Sequence, residues 1–346
     1  METATGTQWA SSTEFTNSPF PNNSTMQKLQ PFILFQELKG HTAGAFSVTF
    51  SPDGRWLAYG RYIDKTVRIW ADIQGKFEEV QELKAHTGGV NSVAFLLNGS
   101  RLASTSNFSD KTNRIWADRQ GKFEQVQELK GHTGGVWSVA SSTNGCRLAS
   151  RGAYSDQMIR IWADKQGKLE QVQKLQGHIN DFLLVALSLD GSRLASCGDF
   201  LDKTIQIWAD RQGKFEQVQK LKGYTRGVKS LAFSHDGCRL AFGGSVDKKI
   251  RVWADIQGNL EQVQELQGHT GDVRSVAFSP DGCRLASGGY MDKRIRIWAD
   301  MQGKLEQVQE LMGHTGSVSV AFSHDGRRLV SYDHNGKKIR IWEVEN

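Results

Sequence analysis

The sequence predicts an all-β protein assembled from seven copies of one four-stranded unit. Short runs rich in valine, isoleucine and phenylalanine alternate with turn-forming Asp-Gly, Asn-Gly and Gln-Gly pairs, which is a strand-and-turn signal. The chain holds 36 glycines and only 5 prolines, as expected for many short strands joined by tight turns. A pair Ile-Trp or Val-Trp recurs every 44 to 46 residues, and its tryptophans are Trp70, Trp116, Trp162, Trp208, Trp253, Trp298 and Trp342.

Each copy begins with the same marker and contains four predicted strands. One copy reads "SVAF", "RLAS", "NRIW" and "FEQVQEL", with a slip in strict apolar alternation in the last run. The Gln-Gly pairs separate the third and fourth strands in six copies. Histidine marks the start of most copies, with Tyr224 in its place once: His41, His86, His132, His178, His269 and His314.

The two ends of the chain indicate how the array closes. A four-stranded sheet cannot bury both of its faces alone, whereas a ring of sheets buries each face against a neighbour. The last copy stops after its third strand, and an orphan strand "FILFQEL" at Phe32 to Leu38 begins the array. We therefore expect the N-terminal strand to complete the last sheet, which removes the exposed edges of an open array.

These features resemble the WD-repeat β-propeller family over about residues 32 to 346. The period near 45, the glycine-histidine start and the "IWAD" ending carry the resemblance. It implies a seven-bladed β-propeller of four-stranded antiparallel blades, with the last blade closed by the N-terminal strand. Here the Trp-Asp pair of the family is spread to Trp-Ala-Asp, and the following hairpin is about two residues longer than usual. In that hairpin, "GKFEQVQELKGH", the chain resembles the propeller scaffolds of cytosolic iron–sulphur protein assembly.

The predicted domain organisation is a polar tail at residues 1–30 followed by one propeller at residues 31–346. The tail is rich in serine, threonine and asparagine, which predicts disorder, and Trp9 is either a solvated residue or a docking anchor. We expect deletion of residues 1–40 to destabilise the whole domain and deletion of residues 1–28 to leave it intact.

Charge and cysteine content favour a soluble cytoplasmic protein. The formal net charge is +6 and is spread along the chain, and no run approaches the length of a membrane span. The first thirty residues lack the pattern of a secretory signal. Cys146, Cys238 and Cys283 occupy one position in three different copies, too far apart for disulfides, which predicts free thiols in a reducing compartment.

The repeated histidines are interpreted as structural rather than chemical. Ligands on different blades cannot converge on one metal ion, and no phosphate-binding loop or nucleophile elbow is present, so we expect no enzyme, cofactor or metal. The resemblance implies a hydrogen-bonded network inside each blade that joins histidine, aspartate, serine and tryptophan. Copy five has Tyr224 and Phe242 in place of histidine and serine, and copy seven has Gly336 in place of aspartate, so these blades are expected to be least stable. The network aspartates are Asp64, Asp110, Asp156, Asp202, Asp247 and Asp292, and the serines are Ser104, Ser150, Ser196, Ser287 and Ser331.

One position varies where the copies otherwise agree. It lies at the start of the innermost strand and, by the resemblance, points toward the central opening of the upper face, where partners bind in this family. Copy seven is one residue shorter there, which leaves Ser319 nearby, and Arg226 is close to the position in copy five. The varying residues are Phe46, Asn91, Trp137, Leu183, Lys229 and Arg274.

Aromatic residues on a second upper-face turn form another candidate set. They precede the network aspartate by two residues, where small residues are usual in the family. They either fill the grooves between blades or form the rim of a binding funnel: Tyr62, Phe108, Tyr154, Phe200 and Tyr290.

The predicted function is a non-enzymatic protein–protein interaction scaffold that binds a peptide or protein segment on the upper face. Phe46, Trp137 and Leu183 are expected to anchor apolar groups, while Lys229, Arg274 and Arg226 select acidic ones. The alternative is a binder of nucleic acid or anionic surfaces, through a cationic ring beside the Gln-Gly turns of the lower face. That ring comprises Lys76, Lys122, Lys168, Lys214 and Lys304, with Arg119, Lys165 and Arg211.

Overall fold

The computed structural model contains 28 strands arranged as seven four-stranded antiparallel sheets. It describes residues 30–38, 45–84, 86–96, 99–107, 110–142, 144–153, 156–176, 178, 182–198, 202–222, 227–244, 246–333 and 338–345. The predicted all-β fold with seven copies of four strands is therefore confirmed.

Blades 1 to 6 each take four consecutive strands, ordered from the centre outward. Blade 7 has the order β26, β27, β28 and β1, so its outermost strand comes from the N-terminal end of the chain. The strands are β1 (Phe32–Leu38); blade 1, β2 (Ala45–Phe50), β3 (Trp56–Arg61), β4 (Thr66–Ile73), β5 (Lys76–Lys84); blade 2, β6 (Val90–Leu96), β7 (Arg101–Ser106), β8 (Asn113–Arg119), β9 (Lys122–Leu129); blade 3, β10 (Val136–Ser141), β11 (Arg147–Gly152), β12 (Ile159–Lys165), β13 (Lys168–Leu175); blade 4, β14 (Phe182–Leu187), β15 (Arg193–Gly198), β16 (Ile205–Arg211), β17 (Lys214–Leu221); blade 5, β18 (Val228–Phe233), β19 (Arg239–Gly244), β20 (Ile250–Ile256), β21 (Asn259–Leu266); blade 6, β22 (Val273–Phe278), β23 (Arg284–Gly289), β24 (Ile295–Met301), β25 (Lys304–Leu311); blade 7, β26 (Val318–Phe322), β27 (Arg328–Asp333), β28 (Lys338–Val344).

The blades form a closed ring. Each innermost strand contacts the innermost strand of the next blade, and β26 of blade 7 contacts β2 of blade 1. Strand β1 pairs antiparallel with β28, from Phe32 opposite Val344 to Leu38 opposite Ile339. The predicted closure of the last blade by the N-terminal strand is therefore confirmed.

Burial follows position in the blade. The second strand of each blade lies between two neighbouring blades, so nearly all of its residues are buried, as in β3 and β7. The outermost strand is the most exposed of each blade and is buried mainly near its two ends; in β9, Phe123 and Leu129 are buried while Glu124 and Gln125 are exposed. Each hydrophobic cluster joins adjacent blades, so no blade has a core of its own.

A ring of glutamine side chains links the outermost strands of all seven blades. Gln127 in blade 2 illustrates it: its amide nitrogen donates to the carbonyl of Leu169 in blade 3 at 2.7 Å, and its oxygen accepts from the Leu169 N–H at 3.0 Å. Gln309 makes the same two bonds to Phe32 of β1, and Gln36 of β1 makes them to Phe77 of blade 1. The closing strand is thus clamped on both sides. We call this set the glutamine belt: Gln36, Gln81, Gln127, Gln173, Gln219, Gln264 and Gln309.

The aspartate of Trp-Ala-Asp has two roles in the structure. It caps the Gln-Gly turn, as where the Gly167 N–H donates to Asp164 at 2.8 Å. Both turn residues have positive φ, 52° at Gln166 and 84° at Gly167, which matches a type I′ hairpin. Asp164 also accepts from Arg101 of the preceding blade at 2.8 Å. Equivalent arginines in five blades make this latch to the next blade: Arg101, Arg147, Arg193, Arg239 and Arg328.

Candidate functional site

The upper face is the side on which the innermost strands begin, and the lower face is the side of the Gln-Gly turns. Buried networks under the upper face hold the strands of a blade in register. In blade 2 the Trp116 indole N–H donates to Ser104 Oγ at 2.9 Å. The Ser104 hydroxyl then donates to His86 Nε2 at 2.7 Å, and His86 Nδ1–H donates to Asp110 at 2.7 Å. Blades 3, 4 and 6 repeat this chain, as the resemblance implied.

The networks fix the charge states of their members. Burial lowers the pKa of His86, and the hydrogen bond to Asp110 offsets this only in part. Burial acts to raise the pKa of Asp110, but hydrogen bonds from His86 and Thr112 outweigh it and leave that pKa below its ordinary value. Both nitrogens of the neutral His86 imidazole are hydrogen-bonded within the blade, so this pair has a structural role.

Blades 5 and 7 depart from this network in different ways. In blade 5, Phe242 is fully buried where blades 2, 3, 4, 6 and 7 have serine, and the indole nitrogen of Trp253 has no hydrogen-bond partner in the described part of the chain. In blade 7, Gly336 lies outside the described residues, and His314 Nδ1 has no hydrogen-bond partner in the described part of the chain. Asp333 is fully buried nearby, 3.8 Å from His314 Nδ1, and accepts from Thr315 Oγ1 at 2.9 Å instead.

The varying upper-face position is a β-bulge in six blades. The pairing of the first two strands shifts register there, as between Val136 and Ser138, so that Trp137 is the extra residue of its strand. Blade 7 is one residue shorter and pairs without a shift from Val318 to Phe322. A bulge re-aims a side chain without disturbing the ladder on either side, which frees this position to vary. The bulge residues are Phe46, Asn91, Trp137, Leu183, Lys229 and Arg274.

Four of these six residues line one cavity at the upper end of the central channel. Asn91, Trp137, Lys229 and Arg274 surround a volume of about 340 Å³, together with serines of the innermost strands. The backbone of Phe46 and Leu183 lies in β2 and β14, but their side chains are outside the described part of the chain. Arg226 also lies outside the described residues, as do Phe108, Tyr154 and Phe200 of the aromatic set.

The cavity carries concentrated positive charge. Burial lowers the pKa of Lys229, and the neighbouring Arg274 lowers it further, whereas Asp272 acts in the opposite direction. Burial also lowers the pKa of Arg274, a group that stays protonated at neutral pH. Among the described residues, Arg274 has no ion-pair partner and no hydrogen bond. A partly desolvated guanidinium without a counter-charge favours binding of an anionic group.

Trp137 and Asn91 complete the cavity with different chemistry. Trp137 is 36% exposed and is thus a large aromatic surface that the fold does not bury. Asn91 is buried and donates its amide to the Val136 carbonyl of the next blade at 2.9 Å. Its side-chain oxygen is buried and has no hydrogen-bond partner in the described part of the chain.

The two described aromatic residues of the second set differ in their surroundings. Tyr62 lies against Gly89 of the next blade, where a Cβ would come within 2.6 Å of the ring, so it packs into the groove between blades 1 and 2. It is still 38% exposed, and Tyr290 is 50% exposed. Tyr290 is close enough to Arg274 to influence its pKa, although burial is the larger effect. Tyr62 thus fills a groove between blades, and the binding-funnel rim stays a prediction for this set.

The cationic ring of the lower face is partly neutralised by its own hairpins. Arg119 lies 3.6 Å from Glu124, Lys165 lies 3.2 Å from Glu170, and Arg211 makes the same cross-strand pair with Glu216. The lysines that follow the Gln-Gly turns are exposed. A second cavity of about 260 Å³ opens on this side of the channel, and its lining combines five phenylalanines with serines, prolines and two histidines, His235 and His324.

The described ranges contain no group of three or more histidine, cysteine or acidic residues that could hold a metal ion. No helix in these ranges is long and apolar enough to cross a bilayer. The four cysteines all lie in the described ranges and form no disulfide there.

The family of the chain follows from its repeats. The model of the WD40 family, described as WD domain, G-beta repeat, matches seven consecutive segments: residues 33–71, 77–117, 123–163, 169–209, 215–254, 260–299 and 305–343. These segments cover more than half of the chain, and each spans the outermost strand of one blade and the three inner strands of the next. WD40 propellers are typically protein-interaction scaffolds and are generally not enzymes. The sequence motifs, the seven-bladed ring and the family model agree that the chain belongs to the WD40-repeat family.

Proposed function

We propose that the propeller is a scaffold that binds an acidic peptide or protein segment at the upper end of its central channel. The observation that carries this proposal is the cavity that brings Trp137, Lys229 and Arg274 together. Its two cations lie side by side, and Arg274 has no counter-charge among the described residues.

The energetics favour an anionic side chain in this cavity. The fold has already removed part of the water from Arg274, so a carboxylate that binds it regains electrostatic energy in a low-dielectric setting. A charge-assisted hydrogen bond contributes about 1.5–3 kcal/mol. Trp137 adds aromatic contact area opposite the cations, and tryptophan and arginine are the residues that most often dominate interface energies.

The remaining predicted residues extend the same surface in this proposal. Phe46 and Leu183 occupy bulge positions on either side of Asn91 and Trp137 in the ring of blades. Phe46 and Leu183 would add apolar surface to that of Trp137, and Arg226 would add positive charge to that of Lys229 and Arg274. Tyr62, Phe108, Tyr154, Phe200 and Tyr290 would form the outer rim, beyond the cavity itself.

The lower-face alternative has weaker support. Binding to phosphates needs several cations that are free to release counterions, and three of the eight in the ring already pair with glutamates. The two modes respond differently to salt. Phosphate binding weakens steeply as salt rises, whereas an interface anchored by Trp137 changes little.

A quantitative affinity capture tests the proposal. We would compare the immobilised wild type with the double variant Trp137→Ala/Arg274→Glu and with Lys168→Glu, which makes a charge reversal on the lower face. We expect bound proteins to be retained by wild type and by Lys168→Glu but lost from the double variant. Loss from Lys168→Glu alone, or equal capture by all three, would overturn the upper-face assignment.

A further inference from the structure

The closing strand β1 differs from the other six outermost strands at three consecutive positions. Its sequence is Phe-Ile-Leu-Phe-Gln-Glu-Leu, whereas the outermost strand of blade 2 reads Phe-Glu-Gln-Val-Gln-Glu-Leu over residues 123–129. The buried ends and the belt glutamine are the same in both strands. The difference is confined to Ile33, Leu34 and Phe35, which replace Glu-Gln-Val or Glu-Glu-Val.

All three of these side chains are exposed. Ile33 is 48% exposed, Leu34 is 50% exposed and Phe35 is 39% exposed. Closure of the ring does not need them, since Phe32 and Leu38 supply the buried contacts and Gln36 supplies the clamp. An apolar run at an exposed sheet edge is a liability that six blades avoid with polar side chains. We call Ile33, Leu34 and Phe35 the β1 patch.

Backbone pairing along this edge is obstructed. The N–H and carbonyl of Phe32 are taken by Gln309, at 2.8 and 2.7 Å. A register shift between Leu34 and Gln36 leaves Phe35 as a bulge residue. An added strand would therefore find an interrupted ladder, and contact with the side chains of the patch is the favoured mode of binding.

The size of the β1 patch points to an occupant from the same chain. Three half-exposed side chains offer a few hundred Å² at most, whereas a standard interface needs roughly 800 Å² per partner. A second copy would be held too weakly by this patch alone. A tethered segment binds a small patch more readily, because its effective concentration reaches the millimolar range.

The segment at residues 1–29 joins the described structure three residues before the patch. The chain enters the described structure at Gln30, whose carbonyl accepts from Arg284 at 3.4 Å, and the Pro31 carbonyl accepts from the Glu345 N–H at 2.9 Å. Ile33 follows three residues later. The segment contains Phe15 and Phe20, and the turn-forming run Pro-Asn-Asn-Ser at residues 21–24 separates them from the anchor.

We propose that residues 15–20 of the N-terminal segment fold back onto the β1 patch, with Phe15 and Phe20 as the apolar contacts. Phe20 lies ten positions before Gln30, and ten residues span at most about 33–36 Å, which is ample to reach a patch three to five residues further along the chain. In this proposal the segment covers the β1 patch, where the other outermost strands have mostly polar side chains.

A triple variant of the full chain provides the test. Ile33→Glu/Leu34→Gln/Phe35→Val converts β1 to the sequence found at residues 123–129, which already forms an outermost strand of this propeller. Chymotrypsin cleaves after exposed phenylalanines, and Phe15 is followed by threonine. We expect cleavage after Phe15 to be at least about fivefold faster in the triple variant than in wild type, with an unchanged urea midpoint.

A second variant keeps the test independent of the propeller itself. Phe15→Ser/Phe20→Ser leaves all strands intact and should increase binding of the dye anilinonaphthalene sulfonate, which reports exposed apolar surface. The same change in the triple-variant background should have no effect. Equal cleavage rates in wild type and the triple variant would overturn the proposal. So would a wild-type dimer, seen by light scattering, that the triple variant converts to monomer, because the occupant would then be a second copy.

Discussion

Substitution of Phe32 by alanine tests the closure of the ring in the most sensitive place. Phe32 is 2% exposed, its ring centroid lies 6.0 Å from that of Phe322, and the Arg284 guanidinium lies 5.2 Å from the ring. Removal of a buried phenylalanine side chain typically costs about 3–5 kcal/mol, through lost burial and the cavity that remains. That is a large fraction of the 5–15 kcal/mol of a typical domain, so the midpoint of urea unfolding should fall markedly.

Phe35→Ala is the matched control, since it makes the same change on the same strand. Phe35 is 39% exposed, and its main described contact is the Arg328 guanidinium at 5.4 Å from the ring. We expect its loss to cost about 1 kcal/mol or less. Both free energies of unfolding would be measured by tryptophan fluorescence in urea. If Phe32→Ala also lost less than about 1 kcal/mol, β1 would not be closing the ring.

Three further predictions concern the latches, the histidines and the weakest blade. Asp164→Ala should lower the free energy of unfolding in urea by roughly 1 kcal/mol more than Asp118→Ala does. Both aspartates cap a Gln-Gly turn, but of the two only Asp164 accepts a hydrogen bond from an arginine, Arg101. Equal losses of stability would show that the latch contributes nothing. Burial, followed by Arg340, lowers the pKa of His314 to about 4, so unfolding takes up a proton between pH 6.5 and pH 4. The free energy of unfolding should therefore decrease by up to about 3 kcal/mol as the pH is lowered from 6.5 to 4. A urea midpoint that stays constant or rises as the pH is lowered would contradict this. Hydrogen exchange should be faster in β18 to β21 of blade 5 than in β6 to β9 of blade 2, and uniform protection would refute the role of the networks.

The sequence was sufficient to predict the architecture because the repeat is nearly perfect. Each tryptophan and each turn recurs at a fixed period, so the number of blades and the strands of each blade follow by inspection. The orphan strand before the first copy and the missing strand after the last copy predicted the closure. The family model and the ring of strands confirm these predictions.

The contacts between blades could not be predicted in the same way. The belt glutamines recur in every copy, but repetition does not reveal that Gln127 bonds to the backbone of Leu169 in the next blade. The aspartate of Trp-Ala-Asp likewise gave no sign that it accepts from an arginine of the preceding blade. These contacts depend on the spacing of neighbouring sheets, which is a property of the assembled ring.

The candidate site could be predicted only in part from the sequence. Comparison of the copies identified the varying position, and the shorter seventh copy was the available sign of a bulge in the others. The burial of Asp333 at 3.8 Å from His314 in blade 7 was not predicted, because that proximity arises only in the folded blade. The engagement of Asn91 with the next blade was missed for the same reason.

Selection from a random dodecapeptide library tests whether the upper end of the channel binds acidic peptides. Peptides would be selected on the immobilised wild type, and their affinities then measured against wild type and Trp137→Ala/Arg274→Glu. We expect peptides enriched in aspartate or glutamate beside an apolar residue, with at least tenfold weaker binding to the double variant. Peptides without acidic enrichment, or peptides that bind both proteins equally well, would contradict an acidic-peptide site at the upper end of the channel.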